Sequence, residues 1–447
     1  MKSNFSPIIR TIITMILGII AIASLLRINQ PSVQKGQQEY IVFFRETADL
    51  IKAKYVEPID EKKLMESAIN GMLASLDPHN AYMPPDAFND MQVQLSGSFG
   101  GLGIEITIRE GKLTVISPIE DTPAFRAGIK PGDHIWMIDN LFTRSMNISD
   151  AVKRMRGPKG STVVLTVIRD GVAKPIVFRL KRDIIHIQSV KARTLDRGFG
   201  YVRVAQFQET TGMEFTNALE SLKKDNEGSL KGLILDLRNN PGGLVDTAID
   251  VAGHFVGGGL NDGLIVTMKG RDPSSKKEIH ASVSKKELNY PVVVMINGGS
   301  ASASEIVAGA LQDYKRAVIV GTQSFGKGSV QSVIPMRNGA GLKLTTARYY
   351  TPKGRSIQVK GITPDIFIDE AETGKPVKKD DGEFREKDLD RHILPPDHKE
   401  SGKNKTTPVP HSPADETNIK DYQLSRALEL LKGMNLLVKE NESIWHR

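Results

Sequence analysis

Between residues 199 and 321 the chain alternates strand-type and helix-type hydrophobic patterns, and this constrains the fold more than any other feature. "GYVRVAQF" reads as a strand and "TTGMEFTNALESLKKD" as an amphipathic helix. "LKGLILDLRNN" is a strongly apolar strand followed by the helix "VDTAIDVAGHF". "PVVVMING" is again a buried strand, "SASEIVAGALQDY" a helix and "RAVIVGT" a strand. Strands alternating with helices of this length predict a layered α/β domain, placed at 184–369.

Other regions carry different patterns. Residues 37–90 are read as an N-terminal helical region, with apolar positions at helical spacing from 37 to 76 and a break at "LDPHNAYMPPD". Residues 97–183 read as a smaller, β-rich unit. "SGSFGGLGIEITI" is a Gly-rich loop feeding a strand. "DTPAFRAG" is a short helix capped at Asp121 or Thr122, and "SDAVKRMRG" a second helix capped by Ser149. "TVVLTVIRDG" and "AKPIVFRLKR" form a hairpin around Asp170-Gly171. Residues 370–418 are polar and rich in Pro and Lys, which predicts a flexible linker. An amphipathic helix over 419–440 then serves packing or dimerisation.

With 447 residues the chain is long enough for two or three domains. Its net charge of +8 is spread, without a Lys/Arg block interleaved with aromatics, so nucleic acid is not an expected partner. The absence of cysteine excludes a thiol nucleophile, disulfides and Cys-ligated zinc. Lys2 and Arg10 precede the apolar run "TIITMILGIIAIASLL" at 11–26. Residues 1–30 therefore read as a signal peptide, with "AIA" as a cleavage site, or as an uncleaved membrane anchor. Either reading places the rest of the chain outside the cytoplasm, close to a membrane.

The stretch "GTQSFGKGSVQ" at 321–331 contains G-x-x-x-x-G-K. A nucleotide-binding P-loop needs Ser or Thr after the lysine and a helix behind it. Gly328 and the strand-like "SVQSVIPM" follow Lys327 instead, so nucleotide binding is not expected. Lys327 alone would read as a surface lysine in a hairpin loop. In "INGGSASASEIVAGAL" a buried strand meets a tight turn and a helix, with Ser302 at the junction beside free backbone N–H groups. Ser302 and Glu305 also spell the capping box S-x-x-E, the simpler reading of this stretch alone. A serine nucleophile needs a base, and no histidine stands in a motif that supplies one; His254 and His280 are isolated. A lysine serves if neutral; its ordinary pKa is about 10.4, and burial brings it down. Gln331 could orient such a lysine, and on a strand Lys327, Ser329 and Gln331 share one face. In "LDLRNNPGGLVDTA" a Pro-Gly-Gly turn could offer the N–H of Gly242 or Gly243 to an oxyanion, together with Ala303 N–H. No metal ligand set or cofactor motif is found.

Taken together, "LILDLRNNPGGL", "INGGSASASEIVAGALQDYKRAVIVGTQSFGKGSVQ" and "YYTPKGRSIQ" closely resemble the carboxy-terminal processing (tail-specific) protease family, serine proteases with a serine–lysine dyad. The likeness covers roughly residues 40–370 and the helix near the C-terminus, and the 97–183 unit resembles a PDZ domain. The resemblance implies a crotonase-like α/β protease core behind the PDZ domain, with Ser302 as nucleophile, Lys327 as general base and Gln331 as its orienting partner. It implies an oxyanion hole from Gly242 or Gly243 with Ala303. It implies that the N–H groups of Gly101, Leu102, Gly103 and Ile104 capture a substrate's C-terminal carboxylate, with Arg156 sensing the docked state. The implied substrates are protein C-termini, an adaptor protein is compatible with this reading, and a dimer or a multiple of dimers is expected. The rival reading is a catalytically silent PDZ scaffold.

Overall fold

The computed structural model describes residues 32–256, 263–282, 286–287, 289–369, 384–395 and 421–445. The leader or anchor expected at 1–30 and most of the expected linker at 370–418 lie outside them. By internal contact the chain divides into residues 1–71 and 72–447. Among the described residues no helix is long and apolar enough to cross a membrane.

The helical pattern from 37 to 76 becomes two helices, Ser32–Lys54 and Glu61–Ala74. They part at Pro58, which cannot continue a helix and disfavours the helical conformation of Glu57. A further helix, Pro85–Ser96, runs past the expected boundary at residue 90. Proline at its first turn is preorganised for a helix, and Gly97, left-handed at φ 67°, closes it.

The 97–183 unit forms a sheet of strands in the order 104–109, 112–118, 134–138, 162–168, 176–181. The hairpin around Asp170-Gly171 is present, Thr162–Ile168 pairing antiparallel with Ile176–Lys181. Its second helix, Ile148–Met155, is capped by Asn147, whose side chain accepts the Asp150 N–H at 2.8 Å, and not by Ser149 as expected. The helix starts one residue before Ser149, which leaves the serine inside the first turn.

The core sheet of the 184–369 region has the order 190–196, 199–204, 232–236, 292–296, 317–321, 366–367. Only its first pair is antiparallel. The central strands Gly232–Asp236 and Val292–Ile296 are buried at every position, because both sheet faces are covered. Side chains alternate between the faces with the strand period of two. Leu233, Leu235, Val292 and Val294 join Phe215, Leu219, Ala248, Ile306 and Val307 from helices Thr211–Asp225, Val245–Gly253 and Ala303–Asp313. Ile234, Val293 and Met295 face the C-terminal helix Tyr422–Trp445 through Ala427 and Leu431. Packing is therefore a role this helix fills. A second sheet, in which Gly341–Tyr350 pairs with Ser329–Pro335, Ala81–Met83 and Leu264–Gly270, borders the lysine loop.

The expected linker needs correction at 384–395. These residues pack against the core, and Glu386 is completely buried. Phe384 and Leu389 flank charged residues, a composition that conceals the packing from a local reading.

Candidate active site

Three parallel strands end side by side, with Asp236 opposite Met295 and Ile296 opposite Gly321. The Pro-Gly-Gly turn, the Ser302 turn and the Lys327 loop follow them and emerge at one sheet edge, where open parallel sheets place their sites. Hydrogen bonds stitch the first two turns. Asn297 Oδ1 accepts the Asn239 N–H at 2.9 Å and Asn297 Nδ2 donates to Asn239 Oδ1 at 2.9 Å. Ala301 N–H and Ser304 Oγ both donate to the Asn240 carbonyl, at 3.0 and 2.9 Å. Arg238 anchors the turn: its guanidinium donates to Asp236 at 2.7 Å and to Asp421, at the start of the C-terminal helix, at 2.6 Å.

Ser302 sits at φ 55°, ψ −112°. A non-glycine residue there is strained, by about 1–3 kcal/mol, and such strain is typical of residues over-determined by their surroundings. Ser302 caps its helix together with Glu305, the Ser302 N–H donating to Glu305 Oε2 at 2.8 Å. Tyr349 stands by the serine hydroxyl; burial chiefly pushes its phenol up, and Ser302 opposes this.

Glu305 does more than cap. Its side chain is completely buried, and Oε2 also accepts the Lys327 N–H at 2.9 Å. Oε1 accepts Ser324 Oγ at 2.5 Å and Gly326 N–H at 2.7 Å. One carboxylate therefore ties the serine turn to the lysine loop. Burial pushes its pKa up to about 7, against the opposing pull of Ser324 and the backbone donors. The Gly328 N–H is taken by Gln358 Oε1 at 2.9 Å. The N–H groups of Ser324, Phe325, Gly326, Lys327 and Gly328, which would cradle a phosphate in a P-loop, are spent within the protein.

Lys327 lies in the loop before the strand Ser329–Pro335, not on it, which corrects the shared-face expectation. Burial first, then the neighbouring Lys343, lowers the Lys327 pKa from the ordinary lysine value; Glu386, Glu305 and Asp77 oppose this. Gln331 Nε2 donates to Ser329 Oγ at 2.9 Å. Among the described residues no hydrogen bond joins Lys327 to Ser302 or to Gln331.

The two glycines of the turn differ. Gly242, at φ 103°, donates its N–H to Asn240 Oδ1 at 2.9 Å. A Cβ on it would lie 2.9 Å from Ser302 Cβ and 3.0 Å from Ala303 N, so the turns are in close contact. Gly243, at φ 141°, has its Cα against the Phe207 carbonyl; a Cβ there would come within 2.0 Å of that oxygen. Neither the Gly243 N–H nor the Ala303 N–H, first in its helix, has an acceptor among the described residues.

The profile of peptidase family S41 matches residues 198–368, a PDZ-domain profile matches 100–180, and that of the activating protease CtpB N-terminal domain matches 23–87. A carboxy-terminal-processing protease of Bartonella bacilliformis is 43% identical over 95% of this chain and 96% of the relative. The carboxy-terminal processing protease CtpB of Bacillus subtilis is 38% identical over 72% of this chain and 66% of the relative. The chain belongs to the carboxy-terminal processing proteases of peptidase family S41. Among solved structures, a photosystem II D1 C-terminal processing protease shares 30% identity over 73% of this chain and 92% of that one, with a TM-score of 0.41.

The PDZ domain of this serine protease carries a cavity of about 120 Å³ lined by Phe99, Gly101, Leu102, Gly103, Ile104 and, from the second PDZ helix, Val152, Met155 and Arg156. The N–H groups of Leu102 and Gly103 have no acceptor among the described residues. Arg156 lies over the Phe99 ring at 4.7 Å and pairs with Asp90 at 3.1 Å, while its buried Nε has no partner. Sequence reasoning missed Glu305 beyond capping, Tyr349, Gln358, Asp77, His79 and Glu386. Only the S-x-x-E pattern carried a local signal; the others reach the lysine loop from distant parts of the chain.

Proposed function

We propose that this processing protease hydrolyses peptide bonds near protein C-termini with Ser302 as nucleophile and Lys327 as general base. The observation that carries the proposal is the convergence of a strained serine and a desolvated lysine at the carboxyl ends of adjacent strands, joined through Glu305. Ser302 Oγ attacks the carbonyl carbon and its proton passes to neutral Lys327 Nζ. The C–N bond then breaks, and the leaving amine takes that proton. A water gives its proton to the Lys327 amine and its oxygen attacks the acyl carbon; the ester bond to Ser302 breaks, and Lys327 returns the proton to Ser302 Oγ. Gly243 and Ala303 N–H groups supply the oxyanion hole; Gly242 is set aside because Asn240 occupies its N–H. The attack requires the Ser302 hydroxyl to leave Tyr349 and turn to Lys327, with Gln331 leaving Ser329 to orient the amine.

Substrate tails dock by their carboxylate on Leu102 and Gly103 N–H, and Arg156, lining the same cavity, reads occupancy. The basic, apolar start of the chain supports export and work at a membrane outside the cytoplasm. Self-association is proposed through the exposed apolar side chains Tyr40, Phe43 and Leu436. The test is intact-mass analysis of an unstructured protein substrate after incubation with wild type, Ser302→Ala and Lys327→Ala. C-terminal fragments are expected with wild type alone. Unchanged cleavage by either variant refutes the dyad.

A further inference from the structure

Residues 384–395 form a strap over the lysine loop. The Phe384 ring packs on Phe325 with centroids 6.3 Å apart. Arg385 Nη1 donates to Gln323 Oε1 at 2.7 Å, and Glu386 N–H donates to the Phe325 carbonyl at 3.2 Å. The Glu386 carboxylate is completely buried. Gln358 Nε2 donates to its Oε1 at 2.7 Å, and His79 Nε2 lies 2.9 Å from each oxygen. Gln358 in turn accepts the Gly328 N–H, so the chain His79–Glu386–Gln358–Gly328 ends on the residue after Lys327. A buried carboxylate is costly unless paired, and the charge of this one is felt at the amine whose proton the reaction moves.

Resting on the Ser302–Lys327 reading, we propose that Glu386 is a positioning residue for Lys327. It holds the lysine loop through Gln358 and supplies negative charge against which the amine gives up its proton. The charges facing Lys327 are Lys343 from the strand Gly341–Tyr350, Glu305 from the serine helix, Asp77 from the turn before Ala81–Met83, and Glu386 from the strap. Facing Glu386 are Lys327 and His79. A nearby anion keeps an amine protonated to higher pH. Removing Glu386's charge therefore produces the neutral base at lower pH, and removing Lys343's charge does the opposite.

The experiment measures kcat/KM against pH for cleavage of casein by the full chain, for wild type, Glu386→Gln and Lys343→Met. The acid limb of Glu386→Gln is expected about one pH unit lower, a size typical of a close opposite charge. On that limb the variant is then faster than wild type, an outcome that structural damage cannot produce. Lys343→Met moves the limb upward. If Lys343→Met moves it and a folded Glu386→Gln does not, the role of Glu386 is overturned while the dyad stands. If neither moves it, the limb does not belong to Lys327 and the dyad reading itself fails. If Glu386→Gln does not fold, Phe384→Ala, which loosens the strap and admits water to the carboxylate, is expected to lower the limb; an unmoved limb overturns the proposal.

Discussion

Replacing Glu305 by glutamine preserves shape and removes half of what the side chain does. Its two oxygens accept four hydrogen bonds, from Ser302 N–H and Lys327 N–H on one side and from Ser324 Oγ and Gly326 N–H on the other. A carboxamide has one acceptor oxygen, so in either orientation its NH₂ faces two donors. Two hydrogen bonds are lost, and each stranded buried donor costs about 1–3 kcal/mol, or about 2–6 kcal/mol together. One orientation breaks both bonds to Ser324 and Gly326 of the lysine loop; the other breaks the bond to Ser302 and the bond to Lys327. If about 2 kcal/mol of the cost falls on the reactive geometry, kcat/KM drops about 30-fold. Thermal unfolding and casein cleavage, measured on one preparation, give both quantities. A Glu305→Gln protein with wild-type melting temperature and kcat/KM within twofold refutes the clamp. The variant also reports on linkage. The folded Glu305 pKa, about 7, is above the unfolded carboxyl value, so its contribution to stability is complete below the unfolded pKa and is lost as pH rises through about 7. That component of the stability–pH curve is expected to vanish in the variant.

Four further outcomes are expected. With burial lowering the Lys327 pKa, the proposed neutral-amine base implies that kcat/KM rises with pH on a limb centred below the ordinary lysine value of about 10.4; a limb at or above that value counts against the base. Gly243→Ala forces a Cβ to within 2.0 Å of the Phe207 carbonyl oxygen and should abolish cleavage, a result that near-normal turnover would contradict. Leu431→Ala empties a fully buried contact between the C-terminal helix and the sheet, and chemical denaturation should show a loss of about 2–5 kcal/mol. Arg238→Met leaves the buried Asp236 with Arg203, 3.8 Å away, as its remaining cation and should cost about 3 kcal/mol, the low end for a broken buried pair, with Asp421 released from the turn before Gly242.

The sequence alone determined the layered α/β core, because fully apolar strands and amphipathic helices report their own burial through local periodicity. It placed Ser302 at a strand–turn–helix junction for the same reason, and the positions of Gly242, Gly243 and Lys327 followed from turn chemistry. Tertiary structure decided what those residues touch. Gly243 was separated from Gly242 by an Asn240 side chain folding back on its own turn. Glu305 passed from helix cap to clamp once the adjacent parallel strand delivered Ser324 and Gly326 to its other oxygen and Lys327 to the oxygen that Ser302 already holds. His79 and Glu386 are 307 residues apart and meet because the strap crosses the lysine loop. Such pairings leave no periodic trace, since a buried hydrogen-bonded pair between distant segments is specified by chain closure and desolvation at the meeting point and by nothing in either segment by itself.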